Sequence, residues 1–221
     1  MKLVTTLAVG LVCASVWQHT AVPQSTPNTP KIENEFVVVD QWDNPYPATS
    51  NVPFPTLANE KFPIAEVRLR RSAAASDSQV AETESWKMIG VKYLEVEALY
   101  AFCTGCRQIQ VQLKDSPPSS KFGDDAVKLD PKHNEVLLEN DRVRIVRIHF
   151  APGESGPIVD KRARVIIVLS DSHATVTLPD GHTEVRDAKA GTVSFGNAGR
   201  QATNNIGATP LENIVVELKS K

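Results

Sequence analysis

Residues 165–186 read Val-Ile-Ile-Val-Leu-Ser-Asp-Ser-His-Ala-Thr-Val-Thr-Leu-Pro-Asp-Gly-His-Thr-Glu-Val-Arg. The run at 165–169 is unbroken and mostly β-branched, as expected of a strand buried on both faces. Residues 174–178 alternate, Pro179-Asp180-Gly181 turns the chain, and 183–186 returns. Asp-Gly between two alternating runs is a hairpin signal, because the tight turn needs residues that accept positive φ. Working outward, 142–150 sets Val143, Ile145 and Ile148 against Arg142, Arg144 and Arg147, and further strands are expected at 192–195 and 214–218. No segment shows a convincing helical period. Many short strands with Gly and Pro turns predict an all-β fold built as an antiparallel sandwich or barrel.

Upstream, residues 115–125 form a polar Pro/Ser stretch that cannot bury a core and read as a linker. Before it, strands are expected at 36–40, 64–70, 88–99 and 108–113. Residues 72–85 read as a loop or short helix, and 44–55, with four prolines, as an irregular arm. The two β-rich segments share a spacing. Glu33-Asn34-Glu35 and Glu139-Asn140-Asp141 each precede a Val-containing run, 106 residues apart. Val111-Gln112-Leu113-Lys114 and Val216-Glu217-Leu218-Lys219 close the two segments, 105 residues apart. Two readings follow: a tandem of related units with the first badly eroded, or one unit carrying an unrelated β-rich extension.

The first 21 residues have the pattern of an export signal: a basic Lys2, then an uncharged, mostly apolar run over 3–17 that is too short to span a bilayer. Residues 22–30 are rich in Pro, Ser, Thr and Asn and read as a disordered tether. The protein is therefore expected outside the cytoplasm, periplasmic or secreted. Lipidation at Cys13 is not expected, since Val12 stands where a small residue is needed. Of the remaining cysteines, Cys103 and Cys106 are spaced C-x-x-C. In an oxidising compartment this spacing suits a disulfide-closed turn; free thiols or a redox pair are the other readings. Net charge is −2, from 24 basic and 26 acidic residues. That balance gives no electrostatic reason to expect nucleic acid or an anionic membrane as a partner.

The second segment carries an ordered series: Asp130-Pro131-Lys132-His133, Leu138-Glu139-Asn140-Asp141-Arg142, Pro152-Gly153-Glu154, Leu178-Pro179-Asp180-Gly181, Lys189-Ala190-Gly191 and Asn205-Ile206-Gly207-Ala208-Thr209-Pro210. In order and spacing it resembles small exported bacterial cupins over about 90 residues. The resemblance implies a cupin (double-stranded β-helix, jelly-roll) barrel over 126–221; on the internal repeat, 31–114 is a β-rich domain that is either a degenerate second cupin or an unrelated extension. It also implies a possible homodimer. Cupins hold a metal on three His and one Glu facing into the barrel. Counted from Gly153, the first two His places fall at Val159 and Lys161, and the Glu place falls near Val165 or Ile166. Gln201 stands where the third His belongs, and Asn205 keeps the closing Asn. Val cannot ligate, a lysine is protonated at neutral pH, and Gln is a poor donor. Neither a metal nor another cofactor is therefore expected.

Two functions remain in view. One is a metal-free barrel that binds a small polar ligand, a carboxylate or sugar, or a protein partner, without catalysis. It would use Lys161 and Gln201, with Asn205 nearby. The other is a cupin enzyme of isomerase or oxygenase type with a non-standard metal or acid–base site. It would need His149 to face inward beside Lys161. No G-x-S-x-G elbow, H-E-x-x-H or phosphate-cradling Gly loop is present, so no catalytic residue is assigned. Incubation with iron, manganese, zinc, copper and nickel is expected to leave less than about a tenth of an equivalent of each by elemental analysis. Near-stoichiometric uptake of one metal, lost on changing His149, overturns the emptied-site reading.

Overall fold

The computed structural model describes residues 31–44, 63–71, 85–94, 106–114 and 123–219. The export signal, the tether, all but the first residue of the arm at 44–55, all but the last residue of the loop or short helix at 72–85, residues 115–122 of the linker and Cys103 lie outside the described residues. Fourteen strands and one helical turn are described. In the first half these are β1 (Ile32–Glu33), β2 (Val37–Asn44), β3 (Ile64–Arg71), β4 (Trp86–Leu94) and β5 (Cys106–Leu113). After a single turn, α1 (Ala126–Leu129), come β6 (Asn134–Glu139), β7 (Val143–Phe150), β8 (Val159–Lys161) and β9 (Arg164–Val168). Then follow β10 (Ser172–Thr177), β11 (Thr183–Ala188), β12 (Val193–Gly196), β13 (Gly199–Asn205) and β14 (Leu211–Leu218). The Asp-Gly hairpin joins β10 to β11, with Gly181 at φ 83°.

The strands form three antiparallel sheets, ordered β1-β2-β5-β3-β4, β11-β10-β13-β8 and β12-β9-β14-β7-β6. None closes on itself, which corrects the expectation of a barrel. Each sheet keeps two edges. Between β8 in the second sheet and β9 in the third, the chain runs through Arg162 and Ala163 without carrying the ladder across. Isolated bridges join Asp125 with Asp160 and Ser155 with Asn204, and a third, Ser85 with Ser170, joins the two halves. The second half is thus a jelly-roll-like pair of open sheets.

The first and third sheets repeat one another. Taking β1, β2, β5, β3, β4 as counterparts of β6, β7, β14, β9, β12, the strand order is the same. The register also matches: Val37 pairs with Leu113, and Val143 with Leu218. The local devices repeat as well. Asn34 Oδ1 accepts from the N–H groups of Phe36 (2.8 Å) and Val37 (3.0 Å). Asn140 Oδ1 accepts from those of Arg142 (2.8 Å) and Val143 (2.9 Å). Lys114 Nζ lies 3.1 Å from Glu33 Oε1, and Lys219 Nζ lies 3.1 Å from Glu139 Oε1. The matched sequence fragments at each end are thus an Asx turn and the ion pair that closes over it.

These two sheets pack face to face. One apolar cluster contains Val67, Leu69, Ile109 and Val111 from the first and Ile145, Ile167, Ile214 and Val216 from the third, all fully buried. The linker divides the sequence, but the core runs across that division. At one end Arg107 lies 4.2 Å over the Trp86 ring, and its Nη1 donates to the carbonyl of Gly191 at 3.3 Å. Gly191 is required there: its φ is 82°, and a Cβ would stand 2.5 Å from Arg107 Nη1 and 2.9 Å from Trp86 Nε1. Because the core is shared, the halves are expected to unfold in one urea transition. Ile214→Ala should lower the unfolding free energy by about 2–5 kcal/mol. Two separated transitions, with only one moved by the substitution, would contradict the shared core.

Candidate functional site

Side chains alternate along a strand, so each strand of the third sheet sends its other face away from the first sheet. On that face Arg144 (β7), Arg164 (β9) and Glu217 (β14) are all buried. Charges taken out of water need partners, and Arg144 has them. Its Nη1 and Nη2 donate to Asp125 Oδ2 and Oδ1 at 2.8 and 2.9 Å, and its Nε donates to Glu217 Oε2 at 2.8 Å. Asp125 also caps α1 by accepting from the Val127 N–H at 3.0 Å. Burial alone would raise the Asp125 carboxyl, but the hydrogen bonds from Arg144 and Val127 outweigh it and hold it below its ordinary range. Burial would likewise lower the Arg144 guanidinium, but Asp125 and Glu217 hold it above its ordinary value.

Arg164 and Lys161 lack that compensation. Arg164 Nη1 donates at 3.0 Å to each of two carbonyls, those of Arg162 and Asn197, and no carboxylate among the described residues bridges it. Burial first, then the charge of Arg186, pull its pKa down to about 10 against the pull of Glu217. Lys161, at the end of β8, is half-buried. It makes no hydrogen bond or ion pair among the described residues. Burial first, then Arg164, push its pKa down to about 8, with Glu217 and Asp130 opposing.

The structure brings together only part of the set expected from sequence. Gln201, half-buried on β13, pairs with Val159, two residues from Lys161, so it shares that face of the sheet. Asn205 does not serve as expected. It is fully buried, its Nδ2 donates to the carbonyls of Phe150 (3.0 Å) and Thr209 (2.9 Å), and its Oδ1 accepts from the Gly207 N–H (3.1 Å). It staples three loops and has no amide hydrogen left for a ligand. His149 is also misplaced by the expectation. It is exposed on the opposite face of β7 from Ile148 and Phe150 and lines a surface cleft of about 280 Å³ with Lys132, His133, Glu135 and Arg147. Among the described residues, no group of three or more His, Cys, Asp or Glu is arranged to hold a metal ion.

Sequence reasoning set His133 aside as a residue preceding the barrel. In the structure it is buried and stacked on Phe150, with ring centroids 4.2 Å apart. Its Nδ1 lies 2.7 Å from Asp130 Oδ1, and its Nε2 lies 3.3 Å from Glu154 Oε2. The Glu154 carboxyl is pulled down to about 2 by the hydrogen bond from Lys132 and by the Ala151 N–H. The Asp130-x-x-His133 spacing at the end of α1 was the available signal. In the first half, Cys106 is buried and disulfide-bonded; Cys103 lies outside the described residues.

No protein-family model matches the chain, and no curated protein matches it in sequence. Solved structures do. A cupin domain from Bordetella pertussis Tohama I is 16% identical, with a TM-score of 0.37 over 47% of this chain and 100% of its own. An RmlC-like cupin family protein with a double-stranded β-helix fold from Methanocaldococcus jannaschii is 26% identical, at 0.33 over 39% and 78%. A cupin superfamily protein from Desulfitobacterium hafniense DCB-2 is 22% identical, at 0.32 over 39% and 76%.

The folded-state pKa of Asp125 lies below its unfolded value. The stability it contributes is therefore full above about pH 4 and is lost as the pH falls through the lowered folded value. Urea midpoints measured from pH 7 down to pH 2 should show this loss, and Asp125→Asn should flatten that part of the profile. Glu217→Ala should cost about 3 kcal/mol at pH 7, because it removes one of the two carboxylates from buried Arg144.

Proposed function

We propose that this is an exported, cupin-like binding protein that takes a small carboxylate between the second and third sheets, at Lys161 and Arg164, without a metal. The observation that carries the reading is the uneven charge pairing of the interior. Arg144 is matched by two carboxylates, whereas among the described residues Lys161 has no partner and Arg164 has only carbonyls. A carboxylate would supply the missing negative charge, and charge-assisted bonds to two cations are the strong kind. Gln201 on the same face offers an amide to a second polar group of the ligand. Export rests on the pattern of the first 21 residues. The enzymatic alternative required His149 beside Lys161, and His149 faces the other way.

Titration calorimetry with acetate, benzoate and citrate should give saturable binding at pH 7 for at least one of them. Lys161→Met should weaken it about ten- to a hundredfold, the worth of one charged hydrogen bond. Binding should also fall as pH rises above about 8, where the ammonium loses its proton. Equal binding of neutral glucose, or affinity unchanged in Lys161→Met, would rule the carboxylate reading out.

A further inference from the structure

We propose that the ligand of this interior is a 2-oxo carboxylate and that Lys161 Nζ joins its carbonyl carbon as a reversible imine. The inference rests on the carboxylate site above and adds a covalent bond to it. An amine that forms imines near neutral pH has three requirements: a fraction without its proton, no carboxylate holding it as ammonium, and a cation nearby to seat the ligand.

Lys161 meets all three. Among the described residues, Lys92, Lys114, Lys132, Lys189 and Lys219 each contact a carboxylate: Glu66, Glu33, Glu154, Asp171 and Glu139, respectively. At Lys189 that contact raises the pKa. Lys161 has no such contact. Of the two carboxylates whose charge reaches it, Glu217 is engaged by Arg144, and Asp130 by His133. Neither is left to fix the ammonium. The neighbouring cation is Arg164, whose two hydrogen bonds both leave from Nη1. Its Nε and Nη2 remain for the ligand's carboxylate. With a pKa of about 8, roughly a tenth of Lys161 is neutral at pH 7, against well under a thousandth of an ordinary lysine. Lys161 is half-buried at the end of β8.

The step balances without an oxidant or reductant. The Nζ lone pair adds to the carbonyl carbon, and the carbonyl oxygen receives a proton while Nζ gives one up, leaving a carbinolamine. Its C–O bond then breaks as water departs and the C=N bond forms. The sum is amine plus ketone to imine plus water.

The test uses the full chain with pyruvate or glyoxylate at pH 8 in the presence of sodium cyanoborohydride, which reduces an imine to a stable secondary amine. Intact mass and peptide mapping should place a single adduct on Lys161, formed at least tenfold faster than on Lys189. Lys161→Arg should abolish it while keeping the positive charge, an unchanged far-UV spectrum and an unchanged urea midpoint. Adducts spread evenly over surface lysines, or an adduct that persists in Lys161→Arg, overturn the proposal. If acetate binding depends on Lys161 but no adduct is trapped, the imine fails and the carboxylate site stands. If neither is seen, both fail.

Discussion

Strand β14 lies between β7 and β9 and is buried on both faces, and the two-residue period of its side chains assigns those faces opposite chemistry. Ile214, Val216 and Leu218 join the apolar cluster shared with the first sheet. Glu217, on the other face, meets Arg144. A one-residue slip of this strand would put the Glu217 carboxylate into the apolar core and Val216 or Leu218 against a buried guanidinium. Both the union of the two halves and the charged interior depend on this register. The register is held from two sides, since β14 is paired along its length to β7 and for five residues to β9.

The repeated half explains how such a thin pair of sheets is buried. A sheet with an apolar outer face needs a cover, and here the same chain provides one with the same strand order. The conserved corners of the repeat, an Asx turn and a Lys–Glu bridge, fix where each copy begins and ends. Between those corners the inner faces have diverged. The first half carries fully buried Glu66, bound by the side-chain amides of Gln108 and Gln110 and by Arg68 Nε at 2.6 Å. The second carries the Arg144 network and the under-compensated pair Lys161 and Arg164. The shared outer faces are constrained by each other's shape, whereas each inner face is free to answer to its own contents.

Much of the framework was legible from sequence. Alternation and β-branched runs located ten strands, because side-chain period is a local property. The 106- and 105-residue offsets located the repeat, because its corners are built by residues close in sequence. Strands β1, β6, β8 and β13 left no such mark. β13, Gly-Arg-Gln-Ala-Thr-Asn-Asn, has no apolar alternation at all and is a strand only because β10 and β8 flank it. The strand pattern left sandwich and barrel open and the resemblance favours the barrel, which the open sheet edges do not support.

The sequence by itself determined the all-β class, the hairpin and the duplicated corners. Each of these is written in residue types over a few neighbours. The tertiary structure alone decided which polar groups meet. Asn205 looked like a ligand group and is consumed by three backbone partners. His149, which the enzymatic alternative needs facing inward, is exposed on the other face of β7. His133, dismissed by position, is buried between two carboxylates. Lys161 stands out only once every carboxylate near it is found engaged elsewhere. Charge compensation depends on distances across sheets, and residues 125, 144, 164 and 217 become neighbours only when the strands are in place.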